Sequence, residues 1–188
     1  TNFAGYNDVI ISKTGYTGSG GVEIYFPSIN SSDIWNSILS VDNKNHIIPI
    51  GLGARDTLRL EMGYCLYGSE LDEKRSPVSA GLEWIIKRNK KFINSNNLLK
   101  QINEGPKERL IGFELLKKGI PRSSYSILNQ KEEKIGTVTS GMFSPFFEKG
   151  MGLGYVQSKE LKNIKKIKID IRGKTEEAKI IKLPFYKK

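Results

Sequence analysis

The sequence predicts an α+β chain, a mixed α/β region followed by a small all-β domain, and three observations carry that prediction. Helix-like and strand-like hydrophobic patterns both occur over residues 1–90. The dipeptide Gly105-Pro106 then punctuates the chain, and beyond it only short strand-like runs separated by turn signals remain. At 188 residues the chain is long enough to bury a core without a disulfide or metal staple.

Each element follows from a local pattern. The apolar run Val9-Ile10-Ile11 marks a strand at 7–12, and the glycine-dense stretch Thr14 to Gly21 after it is a turn. In the next strand, 22–26, Val22, Ile24 and Phe26 share one face, with Glu23 and Tyr25 on the other. Ser31-Ser32-Asp33 reads as a helix N-cap, followed by the apolar stripe Ile34, Trp35, Ile38 and Leu39, which places Trp35 in the core. A second helix is predicted over 51–64, with Leu58 and Met62 one turn apart. The polar stretch 67–79, with Pro77 inside it, reads as a surface loop, and 81–87 as another strand. A short helix at 95–104 turns Leu98, Leu99 and Ile102 inward. Strands are then predicted at 110–113, 126–128, 135–139, 153–156, 167–171 and 178–183. Ile167, Ile169 and Ile171 alternate with Lys168 and Asp170, the pattern of a half-buried strand. Many short strands between Gly and Pro turns indicate a small barrel or sandwich over 107–188, joined to region 1–90 by 91–106.

Composition narrows the function classes. The formal net charge of +10 invites a polyanion partner, but the lysines are spread along the chain and no aromatics interleave with them in an RNA-binding pattern. Lone Cys65 excludes an intrachain disulfide and suits a reducing compartment. No secretory signal or membrane-length apolar run is present, so the expectation is a soluble cytoplasmic protein without a membrane partner. The chain opens at Thr1 without a methionine, almost directly in a strand, so a fragment or processed product is expected.

The glycine-rich segments do not read as nucleotide loops. Gly18-Ser19-Gly20-Gly21 lacks the Lys-Ser or Lys-Thr that follows a P-loop, and Gly51-Leu52-Gly53-Ala54-Arg55-Asp56 lacks the third glycine of a dinucleotide fingerprint. His46 stands alone among Asn43, Lys44 and Asn45, so with Cys65 it supports neither a zinc site nor a triad. No catalytic and no metal-ligating residue is therefore assigned. Helix 51–64 packs Arg55, Asp56, Arg59 and Glu61 into seven positions, as a solvated face with an Asp56–Arg59 pair or as a pocket rim for a polar ligand. Glu23, beside a glycine turn and of weak strand propensity, is an edge residue facing water or a carboxylate that meets paired N–H donors such as a pterin edge.

Taken in order, these segments resemble the glycine cleavage T-protein family. Thr14-Gly15-Tyr16-Thr17-Gly18, then Gly21-Val22-Glu23-Ile24, is similar to one family signature. Gly51-Leu52-Gly53-Ala54-Arg55-Asp56-Thr57-Leu58-Arg59-Leu60-Glu61 is similar to a second without a gap, continued by Leu66-Tyr67-Gly68-Ser69-Glu70-Leu71, Ser76-Pro77 and Ala80-Gly81-Leu82. Gly119-Ile120-Pro121-Arg122, Ile135 to Gly141, Ser144-Pro145, Gly152 to Val156 and Leu183-Pro184-Phe185-Tyr186 follow in family order. One departure is Ser19-Gly20, which stands where an acidic pair is common.

The resemblance implies three domains and about twice this length, with the first domain built from segments on both sides of the second. Residues 1–90 would then be the C-terminal part of a folate-binding aminomethyltransferase domain and 107–188 a C-terminal β-barrel, the N-terminal half being absent here. It implies transfer of an aminomethyl carbon from the lipoyl arm of H-protein to tetrahydrofolate, giving methylenetetrahydrofolate and ammonia. Tyr16, Glu23 and Arg55 fall on folate-contacting positions, with Tyr64 as a further candidate. The family's key aspartate lies in the absent half, so the chain alone is expected to be inactive. The rival readings are a folate-dependent demethylase or folate-binding protein of the same superfamily, and a basic RNA-binding module acting through the β domain.

Overall fold

The structure is a computed structural model describing residues 1–41, 47–162 and 164–187; the lone His46 lies outside the described residues. The chain divides into two compact units, Thr1–Leu58 and Arg59–Lys188.

In the first unit, strands β1 (Ile10–Ser12) and β2 (Glu23–Tyr25) pair antiparallel with Ile10 opposite Tyr25 and Ser12 opposite Glu23. The glycine-dense loop joins them, with Gly18 at φ +70°, a backbone region that side chains disfavour. A single 3-10 turn, Ser28–Asn30, leads into helix α1 (Ser31–Ser40). The cap expected of Ser31 to Asp33 is not formed that way: Asn30 holds the cap position without a side-chain bond, and Ser31 already lies inside the helix. Asp33 instead accepts the Tyr6 hydroxyl at 2.6 Å, and this bond raises the Tyr6 pKa.

Trp35 is not core; it is 51% exposed, whereas Ile34 beside it is fully buried. Neighbours on a helix point about 100° apart, and within this unit α1 buries only the face that carries Ile34. Helix α2 (Leu52–Glu61) carries the second signature, and the division between the units falls within it.

The second unit begins in the last turn of α2. That turn closes as a Schellman motif, with Gly63 N–H donating to Leu60 at 2.8 Å and Tyr64 N–H to Arg59 at 2.9 Å. Gly63 sits at φ +67°, and a Cβ there would come within 2.9 Å of Leu183. Residues 67–79 are irregular, but they are not a surface loop. Glu70 and Val78 are buried, and the segment spends polar groups internally, as in Gly68 N–H to Leu71 C=O at 2.7 Å. The strand expected at 81–87 is a 3-10 turn, Glu83–Ile85, followed by helix α3 (Ser95–Glu104). Leu98 of α3 is buried, with Leu99 and Ile102 half-buried.

Six antiparallel strands then close a barrel: β3 (Glu108–Leu115), β4 (Ser126–Leu128), β5 (Lys134–Ser144), β6 (Lys149–Gln157), β7 (Lys166–Ile171) and β8 (Lys174–Ile181), in the order β3-β6-β5-β4-β7-β8 and back to β3. Its interior packs Phe113, Leu115, Ile127, Val138, Ile167 and Ile169. Both β5 and β6 run longer than their apolar cores suggested. Glycine dilutes their ends, yet Gly152 is required there, since a Cβ would lie 2.6 Å from Ser140 O. A register shift between Val138 and Ser140 buries three successive residues, Val138, Thr139 and Ser140, where a regular strand would alternate.

Candidate functional site

Within the first unit, the glycine loop, β2 and the start of α2 enclose a cavity of about 460 Å³. Tyr16 comes from the loop, Glu23 from the first position of β2 and Arg55 from the first turn of α2, and all three line it. The strand alternation explains Glu23: Ile24 is half-buried, so its neighbours face outward. The Arg55 guanidinium carbon stands 4.6 Å from the centroid of the Tyr16 ring, a cation–π distance that holds the planar fork over an aromatic face. Glu23 accepts a hydrogen bond from the Thr14 hydroxyl, and Thr14 also lines the cavity.

An exposed carboxylate, a guanidinium and an aromatic face form a donor-and-acceptor set for a planar polar ligand, and the volume lies in the range of small-molecule pockets. Among the lining residues there is no histidine, cysteine or lysine to act as base or nucleophile. Among the described residues no group of three His, Cys, Asp or Glu side chains is placed to hold a metal ion.

Tyr64, the fourth candidate from the sequence, does not line this cavity. It lies in the second unit, where its carbonyl accepts from Arg59 Nη1 at 3.1 Å. Larger cavities lie elsewhere among the described residues. One, about 700 Å³, is bordered by Lys74, Lys100 and Lys107 together with Arg75, Gln101 and Glu108. Another, about 640 Å³, lies between Ile24, Phe26, Ile34 and Trp35 and offers little polarity for recognition. A third, about 520 Å³, is bordered by Phe146, Phe147, Phe185 and Tyr186.

The remaining charges of the second signature do something the sequence did not reveal. Arg59 is 2% exposed and pairs at 3.0 Å with Glu70, which is fully buried. Its Nη2 donates to Ser140 Oγ at 2.8 Å. Glu70 Oε2 also accepts Leu66 N–H at 2.9 Å, Oε1 accepts Thr139 Oγ1 at 2.5 Å, and the Glu70 carbonyl accepts the Tyr155 hydroxyl at 2.8 Å. Glu61 accepts from buried Ser144. Neither a solvated helix face nor one continuous pocket rim describes this helix: Arg55 lines a cavity, while Arg59 and Glu61 are buried in a polar network. Cys65 sits beside that network, and burial first, then the Glu70 charge, pushes its thiol pKa up to about 11 against an opposing pull from Arg59. No helix among the described residues is long and apolar enough to cross a membrane.

Residues 1–90 match the family model of the GCVT N-terminal domain, and residues 108–187 match that of the glycine cleavage T-protein C-terminal barrel domain. An aminomethyltransferase of Bacteroides thetaiotaomicron is 50% identical over 187 residues, covering 98% of this chain and 52% of the relative. The Flavobacterium psychrophilum aminomethyltransferase is 50% identical over 186 residues, with 99% and 52% covered. The crystal structure of glycine cleavage system aminomethyltransferase T from Bartonella henselae superposes with a TM-score of 0.87 at 29% identity, over 96% of this chain and 50% of that one. The chain thus spans about half the length of the curated relatives it matches.

Proposed function

The chain belongs to the glycine cleavage T-protein family, and from that premise we propose that it supplies the folate-contacting cavity of an aminomethyltransferase. The reaction is transfer of the aminomethyl carbon from the lipoyl arm of H-protein to tetrahydrofolate, with release of ammonia. The observation that supports this reading is that Tyr16, Glu23 and Arg55 line one cavity.

The residues fit the group chemically. Glu23 is an anion at the cavity wall and can accept the paired N–H donors of a pterin edge. Arg55 donates from a planar fork whose orientation is held over the Tyr16 ring. Tyr16 offers its ring as a wall for a flat ligand. Tetrahydrofolate, when bound, supplies the nitrogen that receives the carbon unit. The chain's own residues bind and orient, and none is assigned a proton transfer.

The partners in this reading are lipoylated H-protein and folate in the cytoplasm, and neither nucleic acid nor membrane. In support, some cations on the barrel are paired with acids, as in Lys168–Glu132 at 2.7 Å and Lys149–Glu114 at 3.4 Å.

The test is calorimetric titration of tetrahydrofolate into this chain, by itself and co-produced with the half of the Bacteroides relative that it does not span. Weak binding and no turnover are expected of the chain by itself. In the combined protein, Glu23→Gln keeps the size but removes the anion. A charge-assisted hydrogen bond is worth about 1.5–3 kcal/mol, so affinity should fall about 10- to 150-fold. Arg55→Lys should also weaken binding, because an ammonium lacks the planar fork. Parent-like affinity in both variants would overturn the residue assignments.

A further inference from the structure

The backbone fixes where Glu23 begins but not where its oxygens point. The terminal torsion of a glutamate is broad and twofold, so a carboxylate on a strand sweeps its plane unless something holds it. The holding group is visible. Ser12 stands opposite Glu23 in the β1–β2 ladder, and two residues further on the Thr14 hydroxyl donates to Glu23 Oε2. The same hydroxyl lies 2.9 Å from Ser12 Oγ. A hydroxyl has one proton, so with that proton on the carboxylate, Ser12 donates across the second contact. The three side chains form a relay of hydrogen bonds ending on one oxygen of Glu23. Threonine is β-branched and stiff at χ1, which makes it a firmer post than serine.

We infer that Thr14 is a positioning residue, setting the plane in which the Glu23 carboxylate meets a planar edge of paired N–H donors. The inference rests on the folate reading of this cavity and adds a residue to it. A carboxylate has about four acceptor sites, and Thr14 occupies one on Oε2. One site on each oxygen remains for two parallel donors, so the bond orients recognition without blocking it. Both side chains are solvent-exposed in the open cavity, where water replaces the bond at little cost to the fold. A ligand filling the cavity expels that water. The carboxylate then depends on Thr14, and the effect appears in affinity and not in folding stability.

The experiment titrates tetrahydrofolate into the parent, Thr14→Val and Thr14→Ser, each with and without the uncovered half of the Bacteroides relative, and records melting temperatures alongside. The isosteric valine should weaken binding about 10-fold or more at unchanged melting temperature, while serine restores affinity to within about 3-fold. In a Glu23→Ala background, Thr14→Val should cost nothing further. A parent that binds with a valine variant of equal affinity overturns the inference and leaves the folate reading standing. A serine variant as weak as the valine variant would show that restoring the hydroxyl does not restore affinity, and would also overturn it. A parent that does not bind in either format overturns the folate reading, and this inference with it.

Discussion

Arg59→Met is the most informative single change for the architecture. It removes a guanidinium that bonds Tyr64 C=O, Glu70 Oε2 and Ser140 Oγ, and leaves Glu70 charged in a site where it is fully buried. Leu66 N–H and Thr139 Oγ1 still donate to that carboxylate, so it is not bare, but its counter-charge is gone. Breaking a buried pair from one side costs about 3–5 kcal/mol. At about 2–4 °C per kcal/mol for a chain of this size, the melting temperature should fall by about 6–20 °C. Replacing both members, Arg59→Met with Glu70→Leu, removes both charges and should cost less than the sum of the single changes. Urea unfolding of the four proteins in the cycle supplies the energies. A single variant within about 1 kcal/mol of the parent would refute the reasoning. So would a double variant equal to the sum, because the pair would then have no coupling.

Two further outcomes follow from burial. The Cys65 thiol, with its pKa pushed up to about 11, should stay protonated and unreactive toward iodoacetamide at neutral pH in the native chain. Because the native thiol holds its proton more tightly than the unfolded one, its contribution to stability is present below about pH 9 and lost as pH rises toward 11; comparison with Cys65→Ala across that window checks it, and identical pH profiles would sink the assignment. In the first unit, β1 and β2 are three residues each in a two-stranded sheet, with Ile10, Trp35 and Leu52 all more than half exposed. Their amides should exchange faster than those of β5 and β6, and uniform protection along the chain would contradict this.

The barrel was readable because its strands alternate, and the alternation of Ile167 and Ile169 with polar residues survives as full burial of both isoleucines. The ends of β5 and β6 were not readable, since glycines that permit close strand approach look like turn signals in a sequence. Hairpin β7–β8 carried a legible signal that was missed: Arg172-Gly173, both at positive φ, is a two-residue turn, and β8 begins right after it at Lys174. Trp35 and residues 67–79 failed for a shared reason. Periodicity says which residues share a face but not whether anything covers it, and a polar stretch can satisfy its polar groups internally. Tyr16, Glu23 and Arg55, which line one cavity, were nominated through the family signatures. Thr14 was hidden, because its role depends on the register that sets Ser12 opposite Glu23.

Arg55 and Arg59, four positions apart on one helix, show why residue type alone could not assign roles. Arg59 bonds a carbonyl, a carboxylate and a hydroxyl in a site closed to water, so a ligand would have to displace partners that cannot be replaced. Glu70 and Ser140 were invisible to local reasoning because they lie 11 and 81 residues away. Arg55 lies at an open cavity and keeps its hydration, so a ligand exchanges for water at modest cost. The same asymmetry separates Glu70 from Glu23: one has both oxygens bonded in a buried site, while the other has one oxygen oriented and the rest open to solvent. Affinity changes in Arg59 or Glu70 variants therefore report the folded fraction first, and carry information on recognition only after correction by the measured unfolding equilibrium. Changes at Glu23, Thr14 or Arg55 need no such correction as long as the melting temperature holds. Measuring stability beside affinity on the same samples is what separates the two classes.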